Sequence, residues 1–139
     1  MGITGSCFCN AVQFEVSGVP KAVVNCHCNF CRSHSGAAFS TYAVASEAAL
    51  KITAGQDFVA TFQFKENAYK HFCKQCGSAI YNQNVRYMGF CMVYLGRIAE
   101  PENIVPTANI YCESQLAWVP AIAEIRSFAQ GIAKQPKPV

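Results

Sequence analysis

The stretch Phe72-Cys73-Lys74-Gln75-Cys76-Gly77-Ser78 places two cysteines with two residues between them and a glycine directly after the pair. Thiolates at this spacing supply half of a structural zinc site, which needs four tetrahedral ligands. Gly77 can adopt the turn conformation that lets both sulfur atoms face one ion. The pair therefore predicts a zinc knuckle that requires two further ligands from elsewhere in the chain.

A second pair, Cys7 and Cys9, lies near the start of the sequence and can supply those ligands. In an extended chain, residues two apart point to the same side, so both sulfurs could reach one ion while Phe8 faces elsewhere. Such a closed site would tie the start of the chain to its middle and stabilise the fold without taking part in catalysis. We predict its four ligands as Cys7, Cys9, Cys73 and Cys76.

A third cluster, in the stretch Cys26-His27-Cys28-Asn29-Phe30-Cys31, offers three thiols and no fourth. If all three bind one ion, a position stays open to water or substrate, as in catalytic zinc sites. Three thiolates and Zn²⁺ sum to a charge of minus one, which suits binding of another thiolate better than formation of hydroxide. Two alternatives stay open: Cys91 or Cys112 could complete a closed site, or the cluster could be a metal-free, redox-sensitive group.

The composition predicts one globular domain. The chain has 139 residues, of which 52% are hydrophobic and 14% charged, which is enough apolar material for a single core. We place this domain at residues 1–133 and a flexible tail at residues 134–139, where prolines and lysines predominate. The nine cysteines are odd in number and closely spaced, and the chain shows no secretory signal, so we expect free thiols in a cytoplasmic protein.

Charge and apolar runs argue against two classes of partner. The formal net charge is +3, and the lysines and arginines are scattered, with no basic stripe, so we expect no nucleic acid. The longest apolar run, Phe90 to Leu95, is too short to span a bilayer, so we expect no membrane. The sequence does not indicate the oligomeric state.

Alternating apolar residues predict a mainly β, antiparallel fold. The alternation runs from Val12 to Val16 and from Phe58 to Phe64, which is typical of half-buried strands. Helix signals are weak: Ser46 to Ala49 could form one turn, and Pro120 to Gln130 either a helix or an extended segment. Turn sequences separate the remaining strand candidates, which are Ala22 to Cys26, Phe39 to Val44, Leu50 to Thr53, Ala79 to Asn82, Met88 to Leu95 and Thr107 to Tyr111.

Three cysteine motifs and a closing segment share a recognisable order, spacing and set of flanking residues. The closing segment runs from Pro106 to Tyr111 and is followed by Ser114 and Trp118. The motifs are Gly5-Ser6-Cys7-Phe8-Cys9-Asn10-Ala11-Val12, Cys26-His27-Cys28-Asn29-Phe30-Cys31-Arg32 with Gly36 after it, and Phe72-Cys73-Lys74-Gln75-Cys76-Gly77-Ser78. Over nearly the whole chain this pattern resembles the glutathione-dependent formaldehyde-activating enzyme (GFA) family.

The resemblance implies a fold, two zinc sites and a reaction. The fold is a tent-like stack of antiparallel sheets around a structural zinc, with a second zinc on Cys26, Cys28 and Cys31. In the family's founding reaction, glutathione adds to formaldehyde to give S-hydroxymethylglutathione, which is a carbon–sulfur lyase step in reverse. Family membership is wider than this activity, so another thiol or aldehyde could be the substrate.

Within the third cluster, Cys28 is our candidate catalytic residue. It lies between the other two ligands and next to His27, and we predict that it exchanges directly with the substrate sulfur. Two other functions stay open: a non-catalytic zinc-binding interaction module, and a thiol-based redox or metal sensor that uses the same three cysteines.

A glutathione pocket should offer cations, because glutathione has two carboxylates. No spacing selects among the candidates, and the default expectation for each is a solvated surface charge. They are Arg32, Lys70, Arg86 and Arg97. For the aromatic residues Tyr87 and Trp118 the default expectation is packing in the core.

Overall fold

The computed structural model describes residues 2–132, whose strands form two sheets. The smaller sheet has three antiparallel strands in the order β1-β2-β5. These are β1 (Gly2–Ser6), β2 (Gln13–Ser17) and β5 (Leu50–Ala54). The expected tail at residues 134–139 and the expected end of the domain at residue 133 lie outside the described residues.

The larger sheet has seven strands in the order β10-β3-β4-β9-β8-β7-β6. All neighbours run antiparallel except β10, which pairs in parallel with β3. The strands are β3 (Ala22–Cys26), β4 (Ser40–Ser46), β6 (Val59–Lys65), β7 (Ala68–Cys73), β8 (Ala79–Asn84), β9 (Phe90–Tyr94) and β10 (Ala108–Ile110).

Helical structure is short. One α-helix, α1 (Asn29–Ser35), begins inside the third cysteine cluster and ends at Gly36, whose amide donates to Arg32 O (2.8 Å). Single 3-10 segments occur at Glu47–Ala49, Gln56–Phe58, Val85–Tyr87, Leu95–Arg97, Pro101–Asn103, Cys112–Ser114 and Val119–Glu124. No helix within residues 2–132 has the length and apolar character needed to cross a bilayer.

The main core lies between the two sheets. Alternation along β2 turns Phe14 and Val16 inward, where both are buried, while Gln13, Glu15 and Ser17 stay exposed. Each large apolar side chain buried in this way stabilises the fold by about 1.5–3 kcal/mol. From the larger sheet, alternate residues of β4 and β9 face the same core, namely Ala43, Ala45, Cys91 and Val93.

The other face of the larger sheet holds a second, smaller core. It contains Val24 and Cys26 of β3, Tyr42 of β4, and Cys31 of α1, which packs over this face. Cys73 belongs to the core between the sheets. The two cysteine groups predicted from the sequence therefore lie on opposite faces of one sheet.

The structure confirms the mainly β fold and most of the predicted strands, with three differences. Sequence alternation missed β1, β7 and α1. The antiparallel pattern is broken by β10. The Phe58 to Phe64 alternation forms β6, but β6 is the edge strand of its sheet, so Phe62 is 53% exposed instead of half-buried.

Two expectations about the outer residues need correction. Tyr87 and Trp118 are not core residues, since they are 44% and 48% exposed. The segment from Pro120 to Gln130 is neither a regular helix nor a strand: a 3-10 segment ends at Glu124, and irregular chain follows. The predicted single turn at Ser46 to Ala49 is present as the 3-10 segment Glu47–Ala49.

Candidate metal centres and substrate pocket

The first cysteine group brings four thiols together from two distant parts of the chain. The sulfur atoms of Cys7, Cys9, Cys73 and Cys76 all lie within 4.8 Å of one another. Cys7 Sγ is 3.5 Å from Cys9 Sγ, and Cys9 Sγ is 3.8 Å from Cys73 Sγ. A tetrahedral zinc ion with bonds of about 2.3 Å separates its sulfur ligands by about 3.8 Å. The spacing and the all-sulfur donor set fit a closed zinc site.

Two turns position these sulfurs. Cys7 and Cys9 lie in a tight turn, in which the Asn10 amide donates to Cys7 O (3.1 Å), and not in the extended chain expected from the sequence. Phe8 points away and is 85% exposed, as predicted. In the other turn, Gly77 has φ +75° and its amide donates to Cys73 O (2.7 Å), which confirms the predicted role of the glycine.

Hydrogen bonds around the first group favour the anionic forms of Cys7 and Cys76, whereas burial and the neighbouring thiols raise the pKa of Cys9 to about 11. The Val12 amide donates to Cys7 Sγ (3.2 Å), and Gln75 Nε2 donates to Cys9 Sγ (3.3 Å). Hydrogen bonding with Ser78 is the largest cause that lowers the pKa of Cys76 to about 5. A thiol has to lose its proton to bind a metal, so the lowered pKa of Cys76 suits metal binding.

The second group contains the three predicted thiols, and the described residues add no fourth His, Cys, Asp or Glu ligand to them. The sulfurs of Cys26, Cys28 and Cys31 lie within 4.8 Å of one another, with Cys26 Sγ 3.4 Å from Cys31 Sγ. Hydrogen bonding with Cys26 is the largest cause that lowers the pKa of Cys31 to about 5. These three thiols could hold a metal ion and leave one position open.

Exposure separates the three thiols. Cys26 and Cys31 are only 4% and 7% exposed, whereas Cys28 is half-buried. Cys28 is also the N-cap of α1, because its sulfur accepts from the Cys31 amide (3.3 Å). It is therefore the thiol of this group that an incoming molecule reaches most easily.

The two lone cysteines do not complete the second site. Cys91 lies in the core between the sheets, on the opposite face from the three thiols, and Cys112 is exposed. Neither belongs to a possible metal-binding group of the described residues. The alternative of a second closed four-cysteine site is therefore wrong.

These positions predict different reactivities for the two lone thiols. Burial, followed by the nearby charge of Glu47, raises the pKa of Cys91 to about 11, so this thiol stays protonated and unreactive. We expect iodoacetamide at about pH 8 to alkylate exposed Cys112 in the folded protein and Cys91 only after unfolding. Peptide mass spectrometry measures both. Rapid labelling of Cys91 without unfolding would contradict its position in the core.

A buried polar network adjoins the second group. Lys70 is 7% exposed and Asn82 is 3% exposed, and the two residues are directly paired between β7 and β8. With its oxygen turned towards Lys70, the Asn82 amide accepts from Lys70 Nζ (2.9 Å), Tyr42 Oη (3.0 Å) and Tyr94 Oη (3.2 Å). Tyr42 Oη is in turn 3.2 Å from Cys31 Sγ. Lys70 is thus connected to the second group and is not the surface charge expected from the sequence.

Burial acts on the ionisation of this network. It lowers the pKa of Lys70, and the negative charges of Cys31, Cys28 and Cys26 oppose that shift. Burial also raises the pKa of Tyr42, so the hydroxyl keeps its proton and can donate a hydrogen bond.

The other candidate cations have different surroundings. Arg32 donates through Nη1 to His27 O (2.9 Å) and to Ser114 O, and through Nη2 to Asn29 Oδ1 (2.6 Å). It therefore links the loop around His27 and Asn29 to the later segment at Ser114, and few of its N–H donors remain for a ligand. Arg86 is exposed, as expected, and its Nη1 lies 3.5 Å from Tyr111 Oη.

The fourth candidate, Arg97, lines a cavity of about 510 Å³. It is half-buried, and its Nη1 donates to Ser78 Oγ (2.9 Å), while its other donors bond to none of the described residues and could bind a ligand. Tyr94 also lines the cavity and packs against the small core that contains Cys26 and Cys31. Ser40, another lining residue, is paired with Cys26 between β4 and β3. The cavity is therefore a neighbour of the second cysteine group.

Residues 2–114 match the profile of the family described as glutathione-dependent formaldehyde-activating enzyme. The chain belongs to this family. The family resemblance drawn from the cysteine motifs is confirmed, and both cysteine groups and the cavity lie within the matched residues.

Two individual proteins resemble this GFA-family chain. A Halomonas elongata protein, provisionally named as a glutathione-dependent formaldehyde-activating enzyme, is 29% identical over 87 residues. The match covers 58% of this chain and 55% of that protein, so it spans about half of the relative's length. The crystal structure of a Rhodobacter sphaeroides protein superposes with a TM-score of 0.64 at 23% identity, over 76% of this chain and 98% of that chain. This second likeness concerns the fold alone.

Proposed function

We propose that this chain is a zinc-dependent enzyme of the carbon–sulfur lyase type, which acts on the adduct of glutathione, or of another thiol, with an aldehyde. The reaction we assign first is formation of S-hydroxymethylglutathione from glutathione and formaldehyde. The observation that supports it most is the incomplete cysteine group, with one half-exposed thiol, beside a cavity that has an available arginine. Membership of a family named for this reaction is consistent with it.

The proposal assigns a zinc ion to each cysteine group. Cys7, Cys9, Cys73 and Cys76 would hold the structural ion, and Cys26, Cys28 and Cys31 the second one. When bound in the open group, zinc would stabilise sulfur in its anionic, nucleophilic form. The described residues supply the thiol ligands, the buried network that joins Lys70 to Cys31, and the neighbouring cavity.

In the proposed reaction, the glutathione sulfur attacks the aldehyde carbon. A carbon–sulfur bond forms, the carbon–oxygen double bond becomes a single bond, and the proton released by the thiol is balanced by the proton that the oxygen takes up. In the reverse direction the same carbon–sulfur bond breaks. Cys28 is the thiol whose place in the open group the substrate sulfur would take, because it is the most accessible of the three. Holding thiol and aldehyde together would provide most of the acceleration.

The cavity would hold the rest of the thiol substrate. Arg97 offers a guanidinium group to a carboxylate, and backbone and hydroxyl groups of Ser40, Thr41 and Ser78 add polar contacts. This arrangement favours an acidic thiol such as glutathione over an uncharged one. Arg97 is the specificity-determining residue in this scheme.

Replacing Arg97 by methionine tests that assignment. Loss of a charge-assisted hydrogen bond costs about 1.5–3 kcal/mol, so we expect KM for glutathione to rise roughly tenfold or more in R97M. KM for 2-mercaptoethanol, which has no carboxylate, should stay unchanged. Arg126, an exposed arginine that lies over the Phe128 ring, provides the matched control R126M. Equal effects of R97M on both thiols would remove Arg97 from substrate binding.

The reaction itself is tested by two-dimensional exchange NMR, because glutathione and formaldehyde already interconvert with their adduct without a catalyst. We expect the zinc-loaded chain to increase the exchange rate in proportion to enzyme concentration. An unchanged rate in a sample with zinc at both groups would reject formaldehyde and glutathione as the substrates.

The chemistry also suggests where the protein works and with what. Reduced thiols and free glutathione coexist in the cytoplasm, and we assign the protein to that compartment. Its partners in this scheme are a small thiol and an aldehyde, with no nucleic acid and no membrane.

A further inference from the structure

Lys70 has no role in the chemistry proposed above, yet its position is unusual for a lysine. Its side chain is 7% exposed and reaches the Asn82 amide, which also contacts Tyr42 of the smaller core. Burying an ammonium group is costly unless an opposite charge compensates it. The negative groups that act on Lys70 are the thiols of Cys31, Cys28 and Cys26, with no carboxylate of the described residues among them.

A continuous set of contacts joins this ammonium to the cysteine group. Lys70 Nζ donates to Asn82 Oδ1 (2.9 Å), the Tyr42 hydroxyl lies 3.0 Å from the same oxygen, and Cys31 Sγ lies 3.2 Å beyond that hydroxyl. Every member is at least nine-tenths buried: Asn82 and Tyr42 are both 3% exposed and Cys31 is 7% exposed. Groups shielded from water in this way interact more strongly than surface groups do.

The charges of the site explain why a cation is needed there. Three thiolate ligands and one divalent ion leave a net charge of minus one, which is unfavourable in a buried position. One ammonium group brings the sum to zero. A neutral residue at position 70 could fill the same space but would leave the charge uncompensated.

We propose that Lys70 is the counter-charge of the three-cysteine cluster and, held by Asn82 and Tyr42, is the positioning residue that allows this cluster to bind its metal ion. This inference rests on the proposed function, because it assumes a metal at Cys26, Cys28 and Cys31. It adds a residue outside the cysteine motifs to the requirements of that site. Lys70 touches neither metal nor substrate in this scheme.

Metal titration of the full chain tests the proposal without an activity assay. Co²⁺ bound to thiolates absorbs strongly, so competition with a chelator gives separate affinities for the first and second equivalents. In K70Q, which keeps a hydrogen-bond donor but loses the charge, we expect the second equivalent to bind at least roughly tenfold more weakly. K70R, which keeps the charge, should bind like the wild type. K70M repeats the loss of charge with an apolar side chain, in case K70Q folds poorly.

A matched control and a second variant sharpen the test. Lys74 is an exposed lysine next to Cys73, so K74Q removes the same charge near the other cysteine group and should leave the second affinity unchanged. N82D places a carboxylate beside Lys70 Nζ, neutralises it locally and should weaken the second equivalent as K70Q does. The first equivalent, bound by the four-cysteine group, reports folding in every variant.

The possible results distinguish failure of the counter-charge role of Lys70 from failure of the proposed function. Weak second binding in K70Q, K70M and N82D, with near-normal binding in K70R and K74Q, supports the counter-charge role. Unchanged second binding in K70Q and K70M would overturn that role and leave the proposed function intact. A wild-type chain that binds only one equivalent would overturn the proposed function and the role of Lys70 with it.

Discussion

Replacing Cys73 by serine is expected to leave the chain largely unfolded. Cys73 is fully buried, lies in the core between the sheets and is one of the four thiols that we assign to structural zinc. Apparent binding energies of structural zinc reach about 10–16 kcal/mol, which matches or exceeds the 5–15 kcal/mol by which a typical domain is stable. Circular dichroism and zinc analysis of C73S should therefore show loss of both the fold and the metal.

Cys91 provides the matched control for this variant. It is as fully buried as Cys73 and belongs to the same core, but it is outside both cysteine groups. C91A should remain folded with both metal equivalents and lose roughly 1 kcal/mol, as is common for a small cavity. If C73S and C91A lost the same stability, Cys73 would be an ordinary core residue and the structural zinc assignment would be wrong.

The second large effect is expected at Cys28. In C28A, catalysis of glutathione–formaldehyde exchange should fall to the uncatalysed background, because the accessible thiol of the open group is gone. Folding and the first metal equivalent should survive, since Cys28 is half-buried and lies on the opposite sheet face from the closed group. Exchange NMR measures the rate, and circular dichroism measures the fold.

The outcome of this substitution distinguishes three accounts of the cluster. C112A removes an exposed cysteine outside both groups and should retain full activity. Wild-type activity in C28A would exclude Cys28 from catalysis, and unfolding of C28A would instead make the second group structural. Reversible metal release on mild oxidation, without turnover in the wild type, would favour a redox sensor.

The cysteine groups were predictable because their evidence is local in the sequence. Cysteines a few residues apart in the sequence must lie near one another in any fold. This holds for Cys73 and Cys76, and for Cys26, Cys28 and Cys31. A zinc ion needs four ligands, and this count alone predicted that the Cys7–Cys9 pair and the Cys73–Cys76 pair share one site. Their four sulfurs do lie together. The expected extended chain at Cys7 and Cys9 is wrong, however, because a turn brings their sulfurs together.

The network behind the second group was not predictable from one sequence. Lys70 and Asn82 become neighbours only through the β7–β8 register, and Tyr42 reaches Cys31 only because α1 packs over that face. Alternation within β7 could have shown that Lys70 and Cys73 lie on opposite faces, but β7 itself was missed because its sequence mixes polar and aromatic residues. Charged residues are exposed by default, and for Lys70 this default expectation is wrong.

Strand ends and edges show the same limit. Phe62 fits the alternation along β6, but its burial depends on whether a further strand pairs beside β6. None of the described strands pairs on that side, because β6 is at the edge of the sheet. The parallel pairing of β10 with β3 likewise depends on the path of the chain between residues 94 and 108, which periodicity does not describe.

In our proposal, one cysteine group is closed and the other is open to a thiol. Cadmium-113 NMR of the cadmium-loaded chain tests it directly, because each bound ion gives a signal that responds to its ligands. We predict two resonances, of which only one shifts when glutathione is added and is lost when Cys28 is replaced. A single resonance, or two resonances that both ignore glutathione, would contradict the account.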